Sequence, residues 1–173
     1  MLLIVETGQG LNDANSYIDT ADVERNLPSI SYKKFSELSE DEQIDCMVIA
    51  SLFIDYSFNW RGCQKLLEQG LNWPRVNVIY QGHSVPDNFI PLQIKKASVM
   101  AISLIIEFGI SVFQKTGEAQ IKKEKLGPME TEYFETIKKA NLYNSEFSDM
   151  NNILRGLFFE PSNGVMTAEV LRK

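Results

Sequence analysis

Two long helical patterns constrain the fold of this chain more than any other feature. Ser39 and Glu42 have the spacing of a capping box, and the apolar residues behind them recur at helical spacing, which predicts a helix over about residues 40–58. Pro91 favours the first turn of a second helix, whose apolar residues cover almost every face as far as residue 108. We expect the two helices to pack antiparallel and to form the core.

Shorter patterns predict several minor elements around this helix pair. They are a strand or extended arm at 2–5, a short helix at 21–27 capped by Thr20, a helical segment at 63–68, a strand at 76–80, a charged hairpin around Gly127-Pro128 and a short helix at 149–157. The predicted fold class is mainly α, with a minor β part. It is a compact helical bundle around two long antiparallel helices, with a small β-hairpin and an extended C-terminal tail. We assign residues 1–157 to a single helical domain and residues 158–173 to a C-terminal docking tail.

Both tryptophans of the chain lie in one short region between the two long helices. The first is in Trp60-Arg61-Gly62 and the second is in Trp73-Pro74-Arg75. Large rings beside residues that force a turn are typical of a buried corner, whereas exposed rings beside arginines are typical of a surface on which bases stack. We favour the corner, in which both rings fill the crossover between the helices. The two arginines would then cap helix ends or reach a neighbouring subunit.

The charge balance argues against nucleic acid as the main ligand. The 173 residues include 17 Lys and Arg against 23 Asp and Glu, a formal net charge of −6. Proteins that bind nucleic acid through its phosphates are usually basic. The longest apolar run is too short to span a bilayer, and the N-terminus lacks the pattern of a signal peptide, so we expect a soluble protein with no membrane partner.

No residue pattern in the chain indicates catalysis. His83 is the one histidine and lies in a predicted turn, and the two cysteines are too few for a disulfide scaffold. The chain has no Cys-x-x-Cys, His-Glu-x-x-His, Gly-x-Ser-x-Gly or phosphate-binding loop motif, and no spacing of metal ligands. We therefore expect no enzyme activity, no cofactor and no metal. A small-molecule enzyme is an alternative for which no residue can be named.

Six short motifs occur in an order that resembles one family. They are Ile4-Val5-Glu6, Ala14-Asn15-Ser16-Tyr17, Trp60-Arg61-Gly62, Leu71-Asn72-Trp73-Pro74-Arg75, Ile90-Pro91 before an alanine-rich helix, and Lys123-Glu124-Lys125-Leu126-Gly127-Pro128 before Glu132-Tyr133. Together they cover about residues 2–157. In this order they resemble the tailed-phage family of DnaT-like single-stranded DNA-binding proteins.

The resemblance also implies a structural role. Helical proteins of this type in tailed phages are similar to head–tail connector, or adaptor, subunits, which form a ring, commonly twelvefold, below the portal. The acidic charge and the missing catalytic motifs favour this role over the family's name. We therefore expect a virion protein at the head–tail junction, made in the cytoplasm of the bacterial host. Its partners would be further copies of itself, the portal protein and tail or neck proteins, with genomic DNA only passing through the ring.

The connector role predicts two interaction surfaces. Docking on the portal is assigned to the C-terminal segment, through Arg155, Phe158, Phe159, Arg172 and Lys173. Contact between subunits is assigned to the oppositely charged arms of the predicted hairpin, through Lys122, Lys123, Lys125, Glu130 and Glu132. The alternative for Phe158 and Phe159 is that both rings cover the core of their own domain.

The alternative function is a DnaT-like single-stranded DNA-binding protein of phage replication. In that case bases would stack on Trp60 and Trp73, with Arg61 and Arg75 beside them. Phosphates would meet the lysines Lys95, Lys96, Lys122, Lys123 and Lys125. Such binding would weaken steeply with salt.

Overall fold

The computed structural model describes residues 2–109 and 147–159, and this part of the chain is mainly helical. Its helices are α1 (Thr20–Asn26), α2 (Ser29–Ser36), α3 (Glu40–Ser57), α4 (Leu92–Phe108) and α5 (residues 147–154). Short strands in the same residues form two antiparallel pairs, β1 (Cys63–Gln64) with β2 (Arg75–Val76) and β3 (Ile79–Tyr80) with β4 (His83–Ser84). The predicted mainly α class is confirmed. The predicted hairpin around Gly127-Pro128 lies outside the described residues.

Helix α3 begins at the predicted capping box. The Glu42 backbone N–H donates to the Ser39 hydroxyl at 3.4 Å, and the Ser39 backbone N–H donates to the Glu42 carboxylate at 2.9 Å. These bonds satisfy two backbone donors that a helix start leaves without partners. The helix ends at Ser57, because Phe58 has an extended backbone. The predicted helix over about residues 40–58 is confirmed.

Helix α4 contacts α1, α2 and α3, and its contacts with α3 are the most extensive of any pair among α1 to α4. Pro91 is the N-cap of α4 rather than its first residue, and the helix ends at Gly109, whose φ of 78° stops it. Lys95 of α4 forms an ion pair with Asp22 of α1 at 2.9 Å. The buried residues of α4 are Ile94, Ala97, Ser98, Val99, Ala101, Ile102, Leu104 and Ile105. This helix therefore lies at the centre of the core.

The two short N-terminal helices differ from the prediction. Asp19, not Thr20, caps α1, since its carboxylate accepts the Asp22 backbone N–H at 2.7 Å. The sequence pattern does not predict α2, because that helix has no side-chain cap and only two of its residues, Ser31 and Phe35, are buried. Packing on α4 gives α2 the stability that its own sequence does not.

The predicted helical segment at residues 63–68 is wrong. Cys63 instead lies in β1, opposite Val76 of β2. Gly62 has a φ of 70°, and a Cβ there would lie 2.3 Å from the Val76 carbonyl oxygen. Only glycine permits this backbone conformation at so close an approach. The chain that leaves α3 is therefore directed into a strand pair and not into a second helix.

The segment that follows α5 pairs with the chain that follows α3. The Arg61 backbone N–H donates to the Leu157 carbonyl at 3.0 Å, and the Phe159 backbone N–H donates to the Asn59 carbonyl at 2.8 Å. These two bonds fix residues 157–159 beside residues 59–61. Residues 157–159 are thereby held beside the C-terminal end of α3.

Phe158 lies in the core of the domain. It is the bridge partner of Trp60, and its ring centroid is 4.8 Å from that of Phe58. The side chain is buried. Phe158 therefore packs with the residues assigned to the helical domain, as in the alternative given for it above. Residues 160–173 of the predicted tail lie outside the described residues.

Candidate functional site

Three of the sequence motifs meet at the buried carboxylate of Asp55 in α3. Tyr17 donates its phenolic O–H to Asp55 Oδ1, and the Asn72 backbone N–H donates to the two carboxylate oxygens at 2.9 and 3.1 Å. The Trp73 backbone N–H donates to the Tyr17 oxygen at 3.1 Å, and Trp60 Nε1 donates to the Asp55 backbone carbonyl at 3.1 Å. We call these five residues the Asp55 cluster. It holds the segment before α1, α3 and the Trp73-Pro74 segment together.

Burial governs the protonation of the Asp55 cluster. It raises the pKa of Asp55, although the hydrogen bonds from Tyr17 and Asn72 oppose that rise. Burial also raises the pKa of Tyr17 well above its ordinary value, and the neighbouring charge of Asp55 raises it further. The phenol therefore keeps its proton at neutral pH and remains a donor. Because Tyr17 and Asp55 are both buried, we interpret the cluster as a structural feature and not as a ligand site.

The first motif also has a structural explanation. The buried carboxylate of Glu6 accepts hydrogen bonds from the backbone N–H groups of Gly8, Gly10 and Leu11 at 2.8 to 2.9 Å. Backbone donors that converge in this way bind anions in many proteins. In this loop the chain's own carboxylate occupies them, so they are not available to a phosphate.

Neither tryptophan can stack on a base. Trp60 is 5% exposed and Trp73 is 0% exposed. Their ring centroids are 6.0 Å apart, with an angle of 85° between the planes, which is the edge-to-face arrangement of packed aromatic rings. The rings occupy the corner between α3 and the Trp73-Pro74 peptide, which is cis. The stacking role that the DNA-binding alternative gives to these two rings is therefore wrong.

Arg75 binds backbone carbonyls and not a phosphate. Its Nε donates to the Arg61 carbonyl at 2.7 Å, and its Nη2 donates to the Gly62 carbonyl at 2.8 Å. A third bond runs from Nη1 to the Asn72 carbonyl at 3.2 Å. The residue is buried, and burial lowers the pKa of Arg75. Arg75 therefore links the segment after α3 to the Trp73-Pro74 segment by hydrogen bonds inside the domain. The contact with DNA that the alternative function predicts for Arg75 is also wrong.

Arg61 and Phe159 form an exposed cation–aromatic pair beside this corner. The Arg61 guanidinium carbon lies 5.2 Å from the centroid of the Phe159 ring. Arg61 Nε donates to the Phe158 carbonyl at 3.2 Å, so the guanidinium is held in place from the backbone of the same segment. Arg61 is exposed and Phe159 is 52% exposed. We call this pair the Arg61–Phe159 surface.

The remaining predicted contacts do not converge on one place. Lys95 is paired with Asp22, whereas Lys96 is exposed and borders a groove of about 320 Å³ lined by residues of α4, α5 and the junction between α1 and α2. Arg155 is exposed on the turn after α5. The other predicted contacts lie outside the described residues: Lys122, Lys123, Lys125, Glu130, Glu132, Arg172 and Lys173.

Sequence reasoning missed the main features of this region. It placed Arg61 in the corner and Phe159 in the docking tail, and no local pattern indicates that residues so far apart in sequence meet. Asp55 could have been found, since it is an acidic residue that follows Ser51 by one turn on the buried side of α3. An acidic residue at such a position requires hydrogen-bond partners in the core.

Two further findings apply to residues 2–109 and 147–159. No group of three or more His, Cys, Asp or Glu side chains in that part of the chain could hold a metal ion. None of its helices is long and apolar enough to cross a membrane.

Comparison with known proteins corrects the predicted role. A family model described as "Putative DnaT-like ssDNA binding protein" matches residues 1–173. No curated protein and no solved structure matches the chain. The predicted connector ring, with portal and tail proteins as partners and DNA only as cargo, is therefore wrong, because the matching family is described by single-stranded DNA binding. The location in the virion was predicted from that role alone. The chain belongs to the family that this model describes, that of the DnaT-like single-stranded DNA-binding proteins.

Proposed function

We propose that the protein binds single-stranded DNA and that the Arg61–Phe159 surface contacts the strand. Two independent observations support this. The family is described by single-stranded DNA binding, and the described residues place an exposed aromatic ring under a guanidinium group. The observation that carries the proposal is this cation–aromatic pair, because proteins without sequence preference bind single strands with rings for the bases and cations for the phosphates.

Phe159 supplies the ring on which a base stacks. Its backbone N–H is bonded to the Asn59 carbonyl, so the segment that carries the ring is held on the surface. About half of the side chain is open to solvent, which leaves room for a flat ligand. A base stacked on an aromatic side chain contributes about 1–3 kcal/mol, largely independently of which base it is.

Arg61 supplies the positive charge at the same point. The guanidinium is already oriented by the Phe158 carbonyl and by the Phe159 ring, so little side-chain entropy is lost when a phosphate binds. An arginine also stacks on bases through its own planar face. The two side chains therefore act together on one nucleotide.

The acidic chain favours an unpaired strand over a duplex. A net charge of −6 repels the dense phosphates of double-stranded DNA. The stacking contribution of Phe159 requires an open base face, which only an unpaired base offers. We propose that stacking, more than charge neutralisation, holds the strand.

The proposal includes a binding role without catalysis or a cofactor. It also includes a scaffold in which α3 and α4 run antiparallel as the core of a helical bundle. The C-terminal end of α3 leads directly to Asn59 and Arg61. The packing of α3 on α4 therefore determines the position of the Arg61–Phe159 surface.

The test is a comparison of DNA forms with the unaltered protein. A fluorescently labelled dT oligonucleotide is titrated at low salt, and its anisotropy is compared with that of a duplex of equal length. We expect the single strand to bind at least about tenfold more tightly, which corresponds to about 1.4 kcal/mol. Equal affinity for the two forms, or no binding to either, would overturn the proposal.

A further inference from the structure

The hairpin formed by β3 and β4 has a defined geometry next to the Arg61–Phe159 surface. Its two loop residues, Gln81 and Gly82, have φ values of 49° and 82°. Positive φ at both positions is the mark of a tight two-residue hairpin turn. Tyr80 and His83 flank this turn as directly paired residues, so their side chains lie on the same face of the hairpin.

The Tyr80 ring lies against the segment that carries Phe159. A Cβ added at Gly156 would be 3.5 Å from both Cδ2 and Cε2 of Tyr80, so the ring packs on the bare backbone of that glycine. Gly156 has a φ of 93°, which a residue with a side chain rarely adopts. Phe159 follows Gly156 by three residues, and three residues of chain span at most about 11 Å. The backbone of Phe159 therefore lies within about 11 Å of the Gly156 backbone on which Tyr80 packs.

The same face of the hairpin offers polar groups as well as rings. Gln81 Nε2 donates to the Tyr80 hydroxyl at 3.3 Å, which orients the phenol. His83 is exposed, and Tyr80 is half-buried. A half-buried ring next to an exposed imidazole has the chemistry that recognises an unpaired nucleotide.

We propose that Tyr80 and His83 form a second nucleotide position, which binds the base next to the one stacked on Phe159. This rests on the proposed function, since it extends the same strand across the surface. Tyr80 packs against the base, and the His83 imidazole contacts either the base edge or the phosphate between the two nucleotides. The protein would then hold two neighbouring unpaired nucleotides on rings from two different segments.

The test uses hairpin variants in the full chain. Tyr80→Leu removes the ring but keeps an apolar side chain on Gly156, Tyr80→Phe keeps the ring, and His83→Ala removes the imidazole. Ile79→Ala is the matched control, because Ile79 is exposed on the opposite face of the same strand. Affinity is measured for labelled dT oligonucleotides of increasing length, and thermal unfolding is recorded for each variant.

We expect Tyr80→Leu to lower the affinity for the longer oligonucleotides by about 5-fold to 160-fold, the range for a lost stacking ring. His83→Ala should cause a smaller loss, and Tyr80→Phe and Ile79→Ala should bind as the unaltered protein does. For the shortest oligonucleotides that bind, Tyr80→Leu should change little, because only one base position is then filled.

Other outcomes separate this proposal from the one on which it rests. If Phe159→Ala weakens binding while Tyr80→Leu and His83→Ala match Ile79→Ala, the second position is overturned and the first stands. If the unaltered protein binds no single strand, both are overturned. An equal loss for Tyr80→Leu at every length, with a lower Tm, would also contradict the second position, because it would indicate only a packing role for the ring.

Discussion

The guanidinium of Arg61 lies over the ring of Phe159, 5.2 Å from its centroid, and joins the chain after α3 to the chain after α5. The two residues meet because backbone hydrogen bonds pair residues 59–61 with residues 157–159. The pair is exposed, whereas both neighbouring tryptophans and Arg75 are buried. Arg61 and Phe159 are therefore placed to meet a ligand, whereas the two tryptophans and Arg75 are not.

Replacement of Arg61 tests the role of its charge and shape. We expect Arg61→Ala to weaken binding of single-stranded DNA by about 1 kcal/mol, since exposed cation–aromatic contacts and single phosphate contacts are each of that order. Arg61→Lys should recover only part of this, because lysine keeps the charge but lacks the planar guanidinium. Arg25→Ala, which removes an exposed arginine on α1, is the control and should leave the affinity unchanged. The idea fails if the Arg25 and Arg61 variants lose the same affinity.

Tryptophan fluorescence should not report on DNA binding by this protein. Trp60 and Trp73 are buried and packed against each other. Their emission should therefore be that of buried indoles and should stay constant while a labelled oligonucleotide saturates the protein. Strong quenching of tryptophan by the oligonucleotide would place the strand on the tryptophan corner and away from Phe159. The measurement is a single titration in which both signals are followed.

The salt dependence of binding should be shallow. For single strands the logarithm of the affinity falls with the logarithm of the salt concentration by about 0.7 for each phosphate contacted. Arg61 is the cation that the described residues place on the proposed surface, and the chain carries a net charge of −6. We therefore expect a slope between about −0.7 and −1.4, for one or two phosphates. A slope several times steeper would show that lysines elsewhere in the chain contact the strand.

The Asp55 cluster should matter for stability and not for DNA binding. Tyr17→Phe removes the hydroxyl that donates to Asp55 and accepts from the Trp73 N–H. Leaving buried partners without hydrogen bonds costs about 1–3 kcal/mol, so the free energy of unfolding should fall by that amount. Tyr56→Phe alters an exposed tyrosine one residue after Asp55 and is the control. Chemical denaturation measures both, and an unchanged stability of Tyr17→Phe would contradict the account of the cluster.

The stability of the protein should also carry a signature of Asp55 in its pH dependence. Burial raises the folded-state pKa of Asp55 above its ordinary value of 3.8. Between these two pKa values the folded protein holds more protons than the unfolded chain, so this group's contribution to stability increases as the pH falls from the folded value to 3.8. It is lost again as the pH rises through the folded pKa. Asp55→Asn should remove this contribution, so the difference in stability between the two proteins should change with pH between 3.8 and the folded pKa and stay constant above it.

The sequence predicts the two long helices well and the short elements and the site poorly, and the reasons are physical. The Ser39–Glu42 capping box and a long apolar stripe are local signals, so the position of α3 follows from them. The start of β1 depends on the contact between Gly62 and the Val76 carbonyl, which local sequence does not encode. The Arg61–Phe159 pair depends on the same kind of long-range pairing.

The acidic composition also misled the functional interpretation. A negative net charge disfavours binding that depends on many phosphate contacts, and it therefore favours a structural role. The same negative net charge is compatible with binding that depends on one stacked ring and one oriented arginine. Total charge describes the average surface, whereas Arg61 and Phe159 form a local one.

The most direct test of the central claim is the affinity of Phe159→Ala for a single-stranded dT oligonucleotide. Phe159 is 52% exposed, so its replacement should leave Tm nearly unchanged, and Leu67→Ala, at a side chain that is 94% exposed, is the control for loss of an exposed apolar group. The account predicts that Phe159→Ala loses about 1–3 kcal/mol of binding free energy and that Leu67→Ala loses none. Equal affinities of Phe159→Ala, Leu67→Ala and the unaltered protein would contradict it.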